Sequence, residues 1–340
     1  MSDFRIDQIT NQAGTAGPQI AGITTFSGSS GLLMPSGPTE YRGGRGRGLI
    51  GGGYTPNTGL NTIDYVTIST TGNALDFGDL TVGRWFISSC SSSVRGLWAG
   101  GGVTVTNVID YVTISSTGNA FDFGDLTISR EKPGSCSSNV RGLFAGGLAP
   151  TTPLSTKTID YITFASLGNS TYFGDSDTRW HYAGCSSSTR GIFGGGRTQA
   201  SPYAALNIID YVTISTLGNS QDFGDLTVSR YAIGSCSSNV RGVFGGGYNP
   251  TMQNVIDYIT ISSLGDAIDF GDLTQARGVD NSSCSSSVRG IFAGGETPTV
   301  VNTIDFVIIS STGSATSFGI LTQSRVASGA CSDAHGGLGD

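Results

Sequence analysis

The tripeptide Ile-Asp-Tyr, with Phe replacing Tyr in the last copy, recurs six times, centred on Asp64, Asp110, Asp160, Asp210, Asp257 and Asp305. A chain that repeats one short script at intervals of roughly 50 residues folds as an array of equivalent units, because no single unit can bury its own apolar face. A full unit reads SCSSNVRGLFAGG, a variable stretch, TIDYITFASLGNS and YFGDSDTR. It contains four short runs of β-branched and aromatic residues separated by Gly, Asn and Ser turns. In the second unit these runs are residues 90–93, 96–100, 108–115 and 120–126. No window keeps an apolar period of 3.6 residues long enough for a helix. Four strands per unit of this length is the arithmetic of a β-propeller blade.

The repeat also resembles the kelch family. The resemblance rests on the glycine doublets Ala99-Gly100-Gly101, Ala145-Gly146-Gly147 and Ala293-Gly294-Gly295, and on the aromatic column Phe77, Phe123, Phe173, Phe223, Phe270 and Phe318 with an Arg after it. It covers about residues 45–335; kelch units usually carry Tyr and Trp where this chain has Tyr65 and Phe77. It implies an all-β, six-bladed, kelch-like propeller with four strands per blade. The ends agree: the first unit starts at Arg47 without a Cys strand, and Ala330-Cys331-Ser332-Asp333 is a Cys strand followed by no unit. Pairing the C-terminal strand with the N-terminal ones completes one blade and leaves no open sheet edge. The domain division is residues 41–340 for the propeller and 1–40 for an extended arm.

Composition narrows the function. The formal charge is −7, only 13% of residues are charged, and Lys132 and Lys157 are the sole lysines. Nucleic-acid binding needs clustered cations and is not expected. Nothing approaches the roughly 18 consecutive apolar residues of a membrane span, and MSDFRIDQIT lacks a signal-peptide pattern. Twelve arginines fall in two columns: Arg47, Arg95, Arg141, Arg190, Arg241, Arg289, and Arg84, Arg130, Arg179, Arg230, Arg277, Arg325. The Ile-Asp-Tyr aspartates form one acidic column, and Asp79, Asp125, Asp175, Asp225 and Asp272 another. Strand charges covered by neighbouring blades must be paired, so structural Asp–Arg pairing is expected rather than rings of ligand-binding arginines. The six cysteines, one per unit, read as small buried hydrophobes of the innermost strand, neither disulfide-bonded nor metal-binding. The Ser runs beside them suggest a narrow polar channel. No cofactor is implied.

Variation between copies concentrates in two connections that a propeller places on one face. The loops between second and third strands start at Tyr54, Val103, Leu148, Arg197, Tyr248 and Glu296. The connections after the fourth strand contain Trp85-Phe86, Glu131-Lys132, Trp180-His181-Tyr182, Tyr231 and Asp280. These loops either drift freely or form a recognition surface; in the second case Trp85, Phe86, Trp180, His181, Tyr182 and Tyr231 are the candidate binding residues. Enzymatic activity is not expected: two histidines, His181 and His335, are too few for a copper site, and Glu131 and Asp280 are the off-column carboxylates a glycosidase would need to bring together.

Residues 1–40 do not repeat, and their apolar anchors include Phe4, Ile6, Ile9 and Ile20. The stretch Asp7-Gln8-Ile9-Thr10-Asn11-Gln12-Ala13-Gly14-Thr15 and the following Gly17-Pro18 resemble N-terminal segments of structural proteins of tailed bacteriophages, particularly those of marine cyanobacteria. The TIDYVTI and GNAxDFGDLT repeats are similar to proteins of the same viruses. The resemblance implies a non-enzymatic virion component assembled in the host cytoplasm, docked by the arm to other virion proteins, and oligomeric on the particle if its docking site is. A tail-fibre-like role with a host glycan or protein as ligand, a capsid decoration role, and a cytoplasmic kelch-type scaffold are the alternatives at this stage.

Overall fold

A computed structural model describes residues 46–338 apart from 57, 152–154 and 200–202. The docking-arm residues Phe4, Ile6, Ile9 and Ile20 lie outside the described residues. The described chain forms six antiparallel four-stranded sheets arranged in a ring, a six-bladed β-propeller. Blade 2 shows the plan: Ser88–Ser91 innermost, then Arg95–Ala99, Val108–Thr113 and Phe121–Asp125. Blade 1 is assembled from both ends of the described chain, with Gly329–Ser332 pairing antiparallel with Arg47–Gly51, so that Leu49 faces Cys331. Asp333 completes the seam by accepting the amides of Gly46 and Arg47 at 2.7 and 2.9 Å.

The inner two strands are buried almost throughout and the fourth only at its central Phe. Each interblade layer has its own core. Between blades 2 and 3, for example, Leu97, Ile109 and Phe123 meet Phe144, Ile162 and Phe164.

Polar groups set the angular order. The Arg after each fourth strand crosses to the Ile-Asp-Tyr aspartate of the next blade: Arg84–Asp110 at 2.8 Å, Arg130–Asp160, Arg179–Asp210 at 2.8 Å, Arg230–Asp257 at 3.0 Å, Arg277–Asp305 at 2.7 Å and Arg325–Asp64 at 3.0 Å. The last pair spans the seam. These side chains are essentially without solvent contact, so each ion is compensated by its partner and by carbonyls such as Val108 O and Trp98 O around Arg84. Five of the aspartates also accept a Thr side chain from the preceding blade, as Asp257 does from Thr227 at 2.6 Å.

The other two charged columns depart from the pairing expected of them. Arg47, Arg95, Arg141, Arg190, Arg241 and Arg289 turn their guanidinium groups to aromatic rings. Each lies over the aromatic ring of its own Ile-Asp-Tyr or Ile-Asp-Phe, 4.6 to 5.2 Å from the centroid. Each also donates to a carbonyl of the next blade, as Arg47 does to Ile114 O at 2.8 Å. An aromatic face and a carbonyl satisfy a half-exposed guanidinium without a buried anion. The Asp79 column stays at the solvent edge; in it Asp175 pairs with Lys157 at 3.0 Å.

Six cysteines are buried and free, and burial pushes all their thiols up. Each Sγ occupies the space where the second-strand Gly of a neighbouring blade would carry a Cβ: at Gly290 that atom would stand 2.2 Å from Cys236 Sγ, and at Gly142 2.5 Å from Cys90 Sγ. The Arg-Gly dipeptide is therefore half of a knob-and-hole contact with the Cys column. The serine after each Cys closes a circle. Ser91, Ser137, Ser186, Ser237, Ser285 and Ser332 each donate to the carbonyl of the equivalent serine in the neighbouring blade, at 2.5 to 2.8 Å.

On the outer edge, each turn between third and fourth strands bonds to the previous blade. Gly118 N–H donates to Phe77 O at 2.8 Å, and a Cβ on Gly78 (φ 147°) would meet Gly118 O at 2.4 Å. This contact requires Gly in the Phe-Gly-Asp motif.

Blade 3 breaks the pattern. Between Asp175 and Arg179 it reads Ser176-Asp177-Thr178, one residue shorter than Leu226-Thr227-Val228-Ser229 in blade 4. Asp210 consequently lacks the threonine, and burial together with Asp177 pushes its carboxyl up to about 6 against the pull of Arg179. Tyr182 fills the space of the missing Leu: a Cβ on Gly146 would meet Tyr182 Oη at 2.3 Å, where Gly195 and Gly246 face Leu226 and Leu273.

Two stability outcomes follow from these contacts. Asp257→Ala leaves Arg230 buried and unpaired and is expected to lower unfolding free energy by about 3–5 kcal/mol in urea titrations. The equivalent change at Asp210 costs less. Because its carboxyl is raised above the unfolded value, the Asp210 contribution is present below pH 4 and declines as pH rises through 6, so the gap between the two variants widens from pH 5 to pH 7. Gly290→Ala is expected to destabilise by about 1–3 kcal/mol through overpacking, and Cys236→Ala in the same chain to recover part of that loss; additive effects would contradict the knob-and-hole contact.

Candidate functional site

The connection after each fourth strand enters the left-handed region: Phe86 (φ 54°), Lys132 (57°), His181 (65°), Ala232 (57°), Asp280 (54°, followed by Asn281 at 64°) and Ala327 (58°). Left-handed geometry costs a non-glycine residue about 1–2 kcal/mol. Here an open arc of five backbone bonds joins the six residues. Phe86 N–H donates to Ala327 O, Lys132 to Phe86 O, His181 to Lys132 O, Ala232 to His181 O and Asp280 to Ala232 O, at 2.8 to 3.1 Å. The result is six side chains gathered from six blades around one mouth of the ring.

Antiparallel bridges tie this ring to the variable loops: Tyr54 to Val326, Leu148 to Glu131, Arg197 to Trp180, Tyr248 to Tyr231 and Glu296 to Gly278. Both divergent connections thus share a face, as the repeat pattern implies.

An aromatic cluster covers half of the mouth. His181 stacks on Trp180 (5.5 Å, 7°), meets Phe86 edge-on (5.6 Å, 86°) and lies 5.4 Å from Tyr231, which contacts Tyr248 at 5.3 Å. Cations sit on these rings. Lys132 Nζ is 3.8 Å from the Phe86 centroid and 4.9 Å from Trp180, and the Arg197 guanidinium is 4.8 Å from Trp180 and 4.5 Å from Tyr231. His181 Nε2 is bonded to Asp280 Oδ1, whereas its Nδ1 has no partner among the described residues.

Beside the cluster opens a cavity of about 310 Å³. Tyr54, Phe86, Tyr231 and Tyr248 supply its rings, Asp280 and Glu296 its carboxylates, and Met252, Val326 and Ala232 its aliphatic surface. Burial and the charge of Asp280 raise the Glu296 carboxyl, and burial with the same acids raises Tyr54.

Of the six residues expected from sequence, Phe86, Trp180, His181 and Tyr231 come together at the mouth. Trp85 lies to one side against Tyr54, at 5.7 Å. Tyr182 is fully buried in the interblade core, where it replaces the leucine that blade 3 lacks. Sequence reasoning passed over Tyr54, Arg197, Tyr248 and Glu296 as site residues. The available signal was their shared column, the first residue after the glycine doublet, which pairs with the residue after the column Arg. Glu131 pairs with Lys132 at 3.3 Å, and the carboxylate that shares a cavity with Asp280 is Glu296.

The opposite mouth is closed by the chain itself. A turn of 3-10 helix, Gly336–Leu338, follows the last inner strand. A Cβ on Gly337 would collide with Ser137 O, and one on Gly336 would meet Ser238 O at 2.1 Å, so only glycine fits this channel. His335 Nδ1 accepts the Gly337 amide at 3.0 Å, which makes Nε2 the donor to Ser91 O at 2.9 Å. Above it remains an axial cavity of about 50 Å³ lined by the Ser and Cys columns. Neither a family model nor a curated protein matches the chain.

Desolvation by the inner strands pushes the His335 imidazole down to about 4. Its stabilising contribution is complete above the unfolded value near 6.5 and is lost as pH falls toward 4. Amide protection factors of residues 335–338 are therefore expected to fall between pH 6.5 and 4.5 before those of the blade amides do, and His335→Gln to flatten that dependence.

Proposed function

We propose that this protein is a non-enzymatic attachment component of a tailed-phage particle, docked through its N-terminal segment, with the variable propeller face directed at a host-surface ligand. The observation that carries the recognition part is the mouth of the variable face. Six strained side chains and the most divergent aromatic residues meet there, while the opposite face is built from turns that bond to their neighbours. Backbone strain and half-buried aromatic rings held together by a rigid scaffold are features of binding sites. The particle assignment is supported by the likeness of residues 7–18 to N-terminal segments of phage structural proteins.

The test is localisation on purified particles by labelled antibody, combined with adsorption assays on particles bearing Phe86→Ala and Tyr231→Ala. Density at tail or fibre tips, with normal assembly and at least tenfold slower adsorption, is the expected result. Density spread over the head with unchanged adsorption would make the protein a capsid decoration, and absence from particles would favour a cytoplasmic scaffold.

A further inference from the structure

The cavity bordered by Tyr54, Phe86, Tyr231 and Tyr248 differs from its surroundings in one respect. Lys132 and Arg197 lie on two of its rings, Phe86 and Tyr231, 3.8 and 4.5 Å from their centroids, yet neither side chain lines the cavity itself. Its two carboxylates are unequally matched. Asp280 is buried and bonded to His181, whereas half-buried Glu296 has no ion-pair partner among the described residues. Two backbone bonds with Gly278, both 2.9 Å, hold the Glu296 main chain at the cavity wall.

We infer that this cavity binds an organic ammonium group, a methylated one in preference to a primary one, with Glu296 as its counter-charge. Aromatic faces attract cations through their quadrupole, most strongly where water is excluded, and a ring of such faces is suited to a cation that cannot form hydrogen bonds of its own. The wall of Met252, Val326 and Ala232 offers apolar contact to methyl groups, and the His181 imidazole also lines the cavity. A volume of about 310 Å³ admits a small headgroup and not an extended chain. The blade sequences supply the specificity. Ala232 and Ala327 stand at ring positions where Phe86, Lys132 and His181 stand elsewhere, and small residues there leave the space open.

The inference deepens the recognition role proposed above and rests on the variable face being the binding face; it is independent of where the protein resides. Calorimetric titration of the purified full chain with choline is the test, alongside ethanolamine and the neutral isostere 3,3-dimethylbutan-1-ol. Choline is expected to bind at least tenfold more tightly than the isostere and more tightly than ethanolamine. Glu296→Gln is expected to weaken choline at least fivefold and Tyr231→Ala to do the same, both with an unchanged melting temperature. Equal affinities for choline and its isostere, or choline binding unaltered by Glu296→Gln, would overturn the inference, as would no measurable binding at 10 mM (a concentration set by the assay). Particles that adsorb through this face although the chain ignores choline would remove the ammonium ligand and leave the attachment role standing. Choline binding by a chain absent from particles would do the reverse.

Discussion

The buried Arg–Asp pair between successive blades is the contact on which the ring depends. Apolar layers between sheets are tolerant of sliding, because dispersion and hydrophobic burial have little direction. A desolvated guanidinium aimed at a carboxylate is intolerant, since a small displacement leaves a charge without compensation. Repeating that contact six times, including Arg325–Asp64 across the seam, gives every blade the same angular offset from its neighbour. Threonine bonds to five of the aspartates strengthen the arrangement. Blade 3, which lacks both the threonine and the leucine, shows the consequence and the replacement: a raised carboxyl at Asp210 and a tyrosine in the leucine's place.

The same logic explains the unequal faces. Cys against Gly, Ser hydroxyl against neighbouring carbonyl, and turn glycine against the previous Phe-Gly-Asp are all contacts between one copy and the next. A change at any of these positions in one blade disturbs its neighbour, so the copies are held alike. In the connections around the variable mouth, only the backbone atoms are shared between copies. The arc of bonds from Ala327 through Phe86, Lys132, His181 and Ala232 to Asp280 uses main-chain groups alone. Side chains there can differ freely, and they do. The chemistry of recognition can accumulate on this face without cost to the ring.

Much of this architecture was legible in the repeat. The six units, the four strands of each, the closure of blade 1 and the face carrying the variable loops all correspond to the described structure. The two arginine columns show where such reasoning ends. Both alternate with acids at similar spacing, yet the second pairs with aspartate, whereas register directs the first onto its own blade's aromatic ring. Tyr182 is the parallel case among the site residues. Its position beside Trp180 and His181 suggested the surface, while the Ser176 substitution that draws it inward lies six residues earlier.

From the sequence alone came the blade count, the strand order and the identity of the variable connections, since a periodic chain must bury equivalent residues in equivalent ways. Tertiary structure decided which charges pair, which aromatic ring is core and which is surface, and that Asp280, Glu296 and three tyrosines from separate blades share one cavity. Those outcomes depend on contacts between units, and the distance between two side chains on different blades is set by ring geometry that no single repeat contains.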